Sequence, residues 1–99
     1  MTIVTNLILS AYCSCSLCCG KHATGLDATG HKPKQGITVA IPRRFPLGSK
    51  VLIGNHFYTG TDRLARRFDN RIDIYFQSHK DAVRFGIQKQ RVKIITTTK

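Results

Sequence analysis

Short apolar runs separated by turn-forming residues predict a chain made mostly of β-strands. In the segment 71–76, isoleucine, isoleucine and phenylalanine alternate with arginine, aspartate and tyrosine, which is the period of two expected of a strand with one buried face. Gly, Pro and Asn residues separate this segment from other apolar runs. The other predicted strands are Thr2–Tyr12, Ile37–Ile41, Lys50–Ile53, His56–Thr61 and Ile87–Thr97.

One helix is predicted between the last two strands. Ser78 is typical of a helix N-cap, His79–Phe85 can form a short helix, and Gly86 stands where a left-handed residue ends one. Several short strands with one short helix indicate a small all-β barrel. A chain of 99 residues leaves room for one domain, so we expect a single barrel domain over residues 1–99.

The charge narrows the class of partner. Sixteen Lys and Arg residues stand against five acidic residues, which gives a net charge of +11. Such a chain is attracted to polyanions. Nucleic acid is one candidate, and the carboxylates and phosphates of a bacterial envelope are another.

Hydrophobicity bears on where the protein acts. No run of the sequence approaches the ~20 apolar residues of a membrane span. The first apolar run also lacks the basic leader of a signal peptide. We therefore expect synthesis in the cytoplasm without a signal peptide, and any action at the cell wall would follow release by another agent.

The acidic residues are few enough to consider one by one. The chain has no Glu, and Asp81 in the first turn of the predicted helix suits the helix dipole. Asp69, which precedes Asn70, is typical of a turn. Asp27 lies in a glycine-rich connection and could be structural or functional.

Asp73 is unusual because it lies between two isoleucines in a predicted strand, where Asp is depleted. Partial shielding from water would raise its pKa and suit it to donate a proton. The alternative is an ion pair that lowers the pKa instead. The candidate partners for that pair are Arg63, Arg66, Arg67 and Arg71.

Four cysteines lie within seven consecutive residues, followed closely by a histidine. Zinc bound by this cluster is one interpretation, because C-x-x-C is half of a common zinc site. The other interpretation is a local disulfide or buried thiols. It arises because all of the zinc ligands would come from one short loop, which strains the coordination geometry. We expect no cofactor otherwise. The candidate ligands are Cys13, Cys15, Cys18, Cys19 and His22.

Three segments resemble the three-aspartate (3D) domain family. Ala40–Ile53 is similar to its "AVDP-x-x-IPLGT-x-V-x-I" segment, and Asn70–Phe76 to its "N-R-I-D-L-Y-F" segment, which follows an earlier aspartate that matches Asp62. Ser78–Gly86 resembles "S-H-x-E-A-x-x-F-G". The family includes stationary-phase muralytic enzymes and the membrane-bound lytic transglycosylase A family.

The resemblance implies a six-stranded double-psi β-barrel that cleaves the bond between N-acetylmuramic acid and N-acetylglucosamine in peptidoglycan, with a 1,6-anhydro product. It implies Asp73 as the catalytic acid/base and Asp62 as its supporting carboxylate. One carboxyl can serve both proton transfers, whereas ordinary glycoside hydrolysis uses two. The residues that we expect to bind the glycan are Tyr12, Asp27, Thr29, Arg71 and Tyr75.

The chain departs from the family at two places. The first family aspartate falls at Ile41, and Arg63–Arg67 replaces a glycine-rich run. We expect Asp27, beside Ala28-Thr29-Gly30, to substitute for the missing aspartate.

Three functions remain open at this stage. The first is a monomeric wall-cleaving enzyme that acts on peptidoglycan glycan strands, of phage or prophage origin. The second is a basic barrel that binds nucleic acid, supported by the charge and by the arginine cluster. The third is a wall-binding module without catalysis.

Overall fold

The computed structural model describes residues 1–13 and 25–96. Its elements follow the predicted order closely, with a single helix, α1, between the fifth and sixth strands of these residues. The strands are β1 (Thr2–Tyr12), β2 (Thr38–Ile41), β3 (Ser49–Ile53), β4 (His56–Arg63), β5 (Arg71–Tyr75) and β6 (Gln88–Ile95), and α1 is His79–Phe85.

The six strands form a closed barrel in the order β1-β5-β2-β4-β3-β6. β1 pairs with β5 and β2 with β4 in parallel, and the remaining pairs are antiparallel. Exchanging β1 with β4, β2 with β5 and β3 with β6 leaves the set of pairings and their directions unchanged, so the barrel has a pseudo-twofold axis. This arrangement confirms the predicted all-β, six-stranded double-psi barrel, with one short helix among the residues that the structure describes.

The barrel interior is filled by side chains that alternate along the strands. Leu9, Ile41, Ile72 and Ile94 are fully buried and belong to one apolar cluster. Because successive strand residues point to opposite faces, the residues between these core positions point outward. Ile41, which stands where the family has its first aspartate, is therefore a core residue.

The short helix has the ends that the sequence predicts. The Ser78 hydroxyl accepts a hydrogen bond from the Asp81 backbone N–H at 3.4 Å, and Gly86 ends the helix with φ of 72°. The rings of Phe76 and Phe85 lie 5.5 Å apart and pack against the core. In residues 1–13 and 25–96, no helix has both the length and the apolar character needed to cross a bilayer.

Gly60 on β4 provides a test of core packing. A β-carbon added there would lie 2.6 Å from Ile41 Cδ1 and 2.8 Å from Ile41 Cγ2. Because Ile41 is fully buried, we expect Gly60→Ala to lower the free energy of unfolding by about 1–3 kcal/mol in denaturant titrations. The cost should shrink in an Ile41→Val background, which lacks Cδ1. An equal cost in both backgrounds would contradict this packing.

Candidate active site

Strand register brings four residues side by side on the outer face of the barrel. Ser10 pairs with Asp73, Asp73 with Ala40, and Ala40 with Asp62, across β1, β5, β2 and β4. Asp73 and Asp62 are thus two strands apart, which places their Cα atoms about 10 Å from each other. The methyl group of Ala40 lies between them and is itself buried.

A β-bulge sets the direction of the Asp62 side chain. Val39 is opposite Gly60, whereas Ala40 is opposite Asp62, so Thr61 is an extra residue in β4. Bulges of this kind re-aim a side chain and are over-represented beside active sites. Without the bulge, Thr61 instead of Asp62 would share the row with Asp73.

The carboxyl group of Asp73 is half-buried and accepts a hydrogen bond from the Ser10 hydroxyl. Burial raises the pKa of Asp73 above its ordinary value, and the negative charge of Asp62 adds to that increase. The Ser10 hydrogen bond and the charge of Arg71 act in the opposite direction but do not cancel the effect of burial. In residues 1–13 and 25–96, no arginine forms an ion pair with Asp73, so the ion-pair alternative finds no support.

Asp62 has donors on both of its carboxylate oxygens. The Tyr12 hydroxyl donates to Oδ2 at 2.6 Å, and the Arg63 backbone N–H donates to Oδ1 at 2.9 Å. β1 and β4 are separated by β5 and β2, so the Tyr12 side chain reaches across both strands to make this contact. These two bonds fix the orientation of the Asp62 carboxylate.

Tyr12 also contacts Tyr75 edge to face, with ring centroids 5.5 Å apart. Tyr75 lies two residues beyond Asp73 on the same face of β5 and lines a cleft of about 440 Å³. Through Tyr75 the cleft borders the strand that carries Asp73, and neither Asp73 nor Asp62 lines it. Its polar and basic lining residues are Lys32, Lys34, Gln35, Tyr75 and Gln77.

Asp27 is buried in the loop before β2. Its Oδ1 accepts hydrogen bonds from the Thr29 N–H at 2.9 Å, the Thr29 hydroxyl at 2.6 Å and the His31 N–H at 3.0 Å. Burial alone would raise the pKa of Asp27, but these bonds and one from Thr61 outweigh it, so the pKa is lowered. Asp27 therefore remains charged and reaches the site through Thr61, which is next to Asp62.

The arginines near the site bind protein groups. Arg63 Nη1 donates to the carbonyl groups of Pro42 at 3.0 Å and Phe45 at 2.5 Å. Arg71 lies over the Phe68 ring at 4.4 Å. The two carbonyl groups thus accommodate Arg63, which falls in the segment that replaces the family's glycines.

Only one residue of the predicted cysteine cluster lies among the described residues. Cys13 is buried, and its Sγ is 3.5 Å from Nδ1 of His79 on α1. Within residues 1–13 and 25–96, no group of three or more His, Cys, Asp or Glu is arranged to hold a metal. Zinc at this cluster stays a prediction, because its other ligands lie outside the described residues, namely Cys15, Cys18, Cys19 and His22.

Sequence reasoning did not assign a functional role to Ser10, Thr61 or His79. Each acts through a partner that is distant in sequence or through an irregularity of the strand. Ser10 and Asp73 are 63 positions apart in sequence, and Cys13 and His79 are 66 positions apart, so both contacts lie beyond any local motif. Only the register of β1 on β5 could have revealed Ser10.

No family model matches the chain. The chain is 32% identical to "Putative cell wall shaping protein YabE" of Bacillus subtilis (strain 168) over 83 residues. The match covers 83% of this chain and 20% of that protein. The chain thus spans about a fifth of the length of this relative, and membership of the three-aspartate family stays a prediction.

The environment of Asp73 predicts a pH-dependent gain in stability when the carboxyl is removed. The pKa of Asp73 is raised in the folded state, so the folded protein binds the proton more tightly than the unfolded chain does. Ionisation of Asp73 therefore lowers the free energy of unfolding as pH rises from the unfolded pKa through the folded pKa. We expect Asp73→Asn to raise the free energy of unfolding at pH 7, on the order of 1 kcal/mol. The gain should vanish below the unfolded pKa of about 3.9.

Denaturant titrations at pH 3 and pH 7 check this expectation. Asp69→Asn is the matched control, because Asp69 is an exposed aspartate. A loss of stability in Asp73→Asn at pH 7 would show that the carboxylate is favourably placed, contrary to the burial argument.

Proposed function

We propose that this protein is a lytic transglycosylase that cleaves the glycan strands of peptidoglycan, with Asp73 as its acid/base. The observation that carries the proposal is a half-buried carboxyl with a raised pKa, facing outward beside a cleft. A carboxyl of this kind retains a proton to higher pH than an exposed one and can donate it.

In the proposed reaction, protonated Asp73 donates its proton to the oxygen that links N-acetylmuramic acid to N-acetylglucosamine. The bond between that oxygen and the muramic anomeric carbon breaks, and N-acetylglucosamine leaves with a new hydroxyl group. The muramic 6-hydroxyl then attacks the anomeric carbon and transfers its proton to the Asp73 carboxylate. Asp73 is thereby regenerated, and no water is consumed.

Asp62 supports this reaction electrostatically. Its carboxylate, oriented by Tyr12 and by the Arg63 N–H, lies in the same row as Asp73. A fixed negative charge there stabilises the positive charge that develops on the sugar ring in the transition state. The same charge raises the pKa of Asp73 and so favours its protonated form.

The cleft beside Tyr75 provides room for the glycan strand. Tyr75 lines this cleft and contacts Tyr12, and both tyrosines are proposed to contact sugar rings. Lys32 and Lys34 add positive charge to the lining. Peptidoglycan stem peptides carry carboxylates, which complement these lysines. Arg71 and Thr29 are proposed to contact the strand at the margins of this site.

Asp27 is proposed to position the site instead of taking part in proton transfer. Its lowered pKa makes it a poor proton donor, and its contact with Thr61 steadies the bulge that precedes Asp62. In this role, Asp27 would substitute for the family aspartate whose position Ile41 occupies. Full activity in Asp27→Asn would reject it.

The similarity to a protein named for cell wall shaping supports action at the wall. It does not bear on the lysis role that the sequence suggested, which stays a prediction. The nucleic-acid alternative loses part of its basis, because Arg63 donates to carbonyl groups of the protein and so does not extend into solvent.

Digestion of peptidoglycan sacculi tests the proposed reaction. We expect the protein to release anhydro-muropeptides, detected by mass spectrometry, and Asp73→Asn to reduce their rate of formation by about 10²–10⁴-fold. Asp69→Asn, the same chemical change at an exposed position, should retain the parent rate. Products with reducing ends would indicate a hydrolase, and binding without product would indicate a wall-binding module.

The pH dependence of the reaction distinguishes the effects of Asp62 and Ser10 on the pKa of Asp73. The active form is protonated, so activity falls as pH rises through the pKa of Asp73. Removing the negative charge with Asp62→Asn should lower that pKa and move the alkaline limb to lower pH. Ser10→Ala removes a hydrogen bond that favours the carboxylate, so the limb should move to higher pH. Shifts in the same direction would contradict the assignment.

A further inference from the structure

The outer face of β6 carries a regular row of positive charge. Lys89, Arg91 and Lys93 occupy alternate positions and are all exposed. The residues between and after them, Val92 and Ile94, are buried in the barrel. The three basic side chains therefore project from one face at intervals of about 7 Å, and we call them the β6 basic row.

The strands beside this row carry no acidic residue. β6 pairs with β1 and β3, and none of these three strands contains Asp or Glu. On β1, the residues opposite Lys89, Arg91 and Lys93 are Ile8, Asn6 and Val4. The positive charges are thus not neutralised by the neighbouring strands, and Lys50 on β3 adds another exposed base nearby.

The row is on the opposite side of the barrel from the candidate active site. In the order β1-β5-β2-β4-β3-β6, β6 is three places from β2, the strand that carries Ala40 between the two aspartates. A ligand bound along β6 would therefore leave the row of Asp73 and Asp62 accessible. This arrangement suits a second site that holds the protein near its substrate.

We propose that the β6 basic row binds a linear phosphodiester polymer of the bacterial cell wall, such as teichoic acid. Regularly spaced charges on a convex sheet face fit a flexible polyanion, whose binding is driven by counterion release. The choice of a wall polymer rests on the proposed function, whereas the position of the row does not.

Single-stranded nucleic acid is the less favoured partner. Proteins that bind it without sequence preference stack bases on aromatic side chains. β3 and β6 contain no aromatic residue, and Tyr12 of β1 is engaged with Asp62. The face therefore offers charge without stacking surfaces.

The test compares two triple variants of equal net charge. Lys89→Gln/Arg91→Gln/Lys93→Gln removes the row, and Arg43→Gln/Arg66→Gln/Lys80→Gln removes three exposed bases elsewhere. Both are made in an Asp73→Asn background so that sacculi remain intact. Binding is scored by sedimentation with sacculi that carry teichoic acid, and with sacculi from which hydrofluoric acid has removed the phosphodiester polymer. Unchanged thermal midpoints establish that both variants fold.

We expect the row variant to bind teichoic acid-bearing sacculi about 100-fold more weakly at 0.1 M salt, with a log–log salt slope reduced by about 2. The control triple should lose less than about threefold on this counterion-release argument. Stripped sacculi should bind the parent and the row variant equally.

Equal losses in the two triples would overturn the proposal, because binding would then depend on total charge alone. Parent binding that is undiminished by removal of the phosphodiester polymer would overturn it as well. Tighter, row-dependent binding to a DNA oligonucleotide would assign the face to nucleic acid instead. These readouts do not depend on catalysis, so failure of the proposed reaction and failure of this site are distinguishable.

Discussion

A carboxyl group held on a β-strand between two core residues cannot move to better hydration. Ile72 and Ile74 are buried in the barrel, and they fix the backbone of β5 so that Asp73 must remain where the strand places it. The Ser10 hydroxyl donates a hydrogen bond to the Asp73 carboxyl. This bond stabilises the charged carboxylate less than the positive charge of a guanidinium group would. The raised pKa of Asp73 is the direct result, and the proposed chemistry depends on it.

The barrel supplies the rest of the site through its strand order. Parallel pairing of β1 with β5 brings Ser10 to Asp73, and parallel pairing of β2 with β4 brings Asp62 to the far side of Ala40. The bulge at Thr61 determines which residue of β4 shares the row. Neither carboxylate would have its present neighbours if the chain crossed between strands in another order.

Local patterns predicted most of the fold. Alternation in β5 and the Ser78 and Gly86 signals of α1 depend on neighbours in sequence, and the structure confirms them. Asp73 could be singled out for the same reason, because an aspartate between two isoleucines is a local anomaly. The strand ends were less accurate, and β4 continues to Arg63 where the sequence predicted an end at Thr61.

The contacts that define the site could not be predicted in this way. Tyr12 donates to Asp62 across 50 residues of sequence, and Cys13 meets His79 across 66. Such pairs depend on register and on barrel closure, which no local window contains. The resemblance to a family supplied Asp62 as a candidate, but it could not show that Ile41 would lie in the core.

The pseudo-twofold axis affects how the barrel can distinguish the two directions of a linear polymer. It exchanges β1 with β4 and β2 with β5, so Ser10 corresponds to Asp62 and Asp73 to Ala40. A linear polymer laid across this face would meet the same backbone framework from either end. Its polarity, from one chain terminus to the other, can therefore be distinguished only by the differences between these symmetry-related side chains.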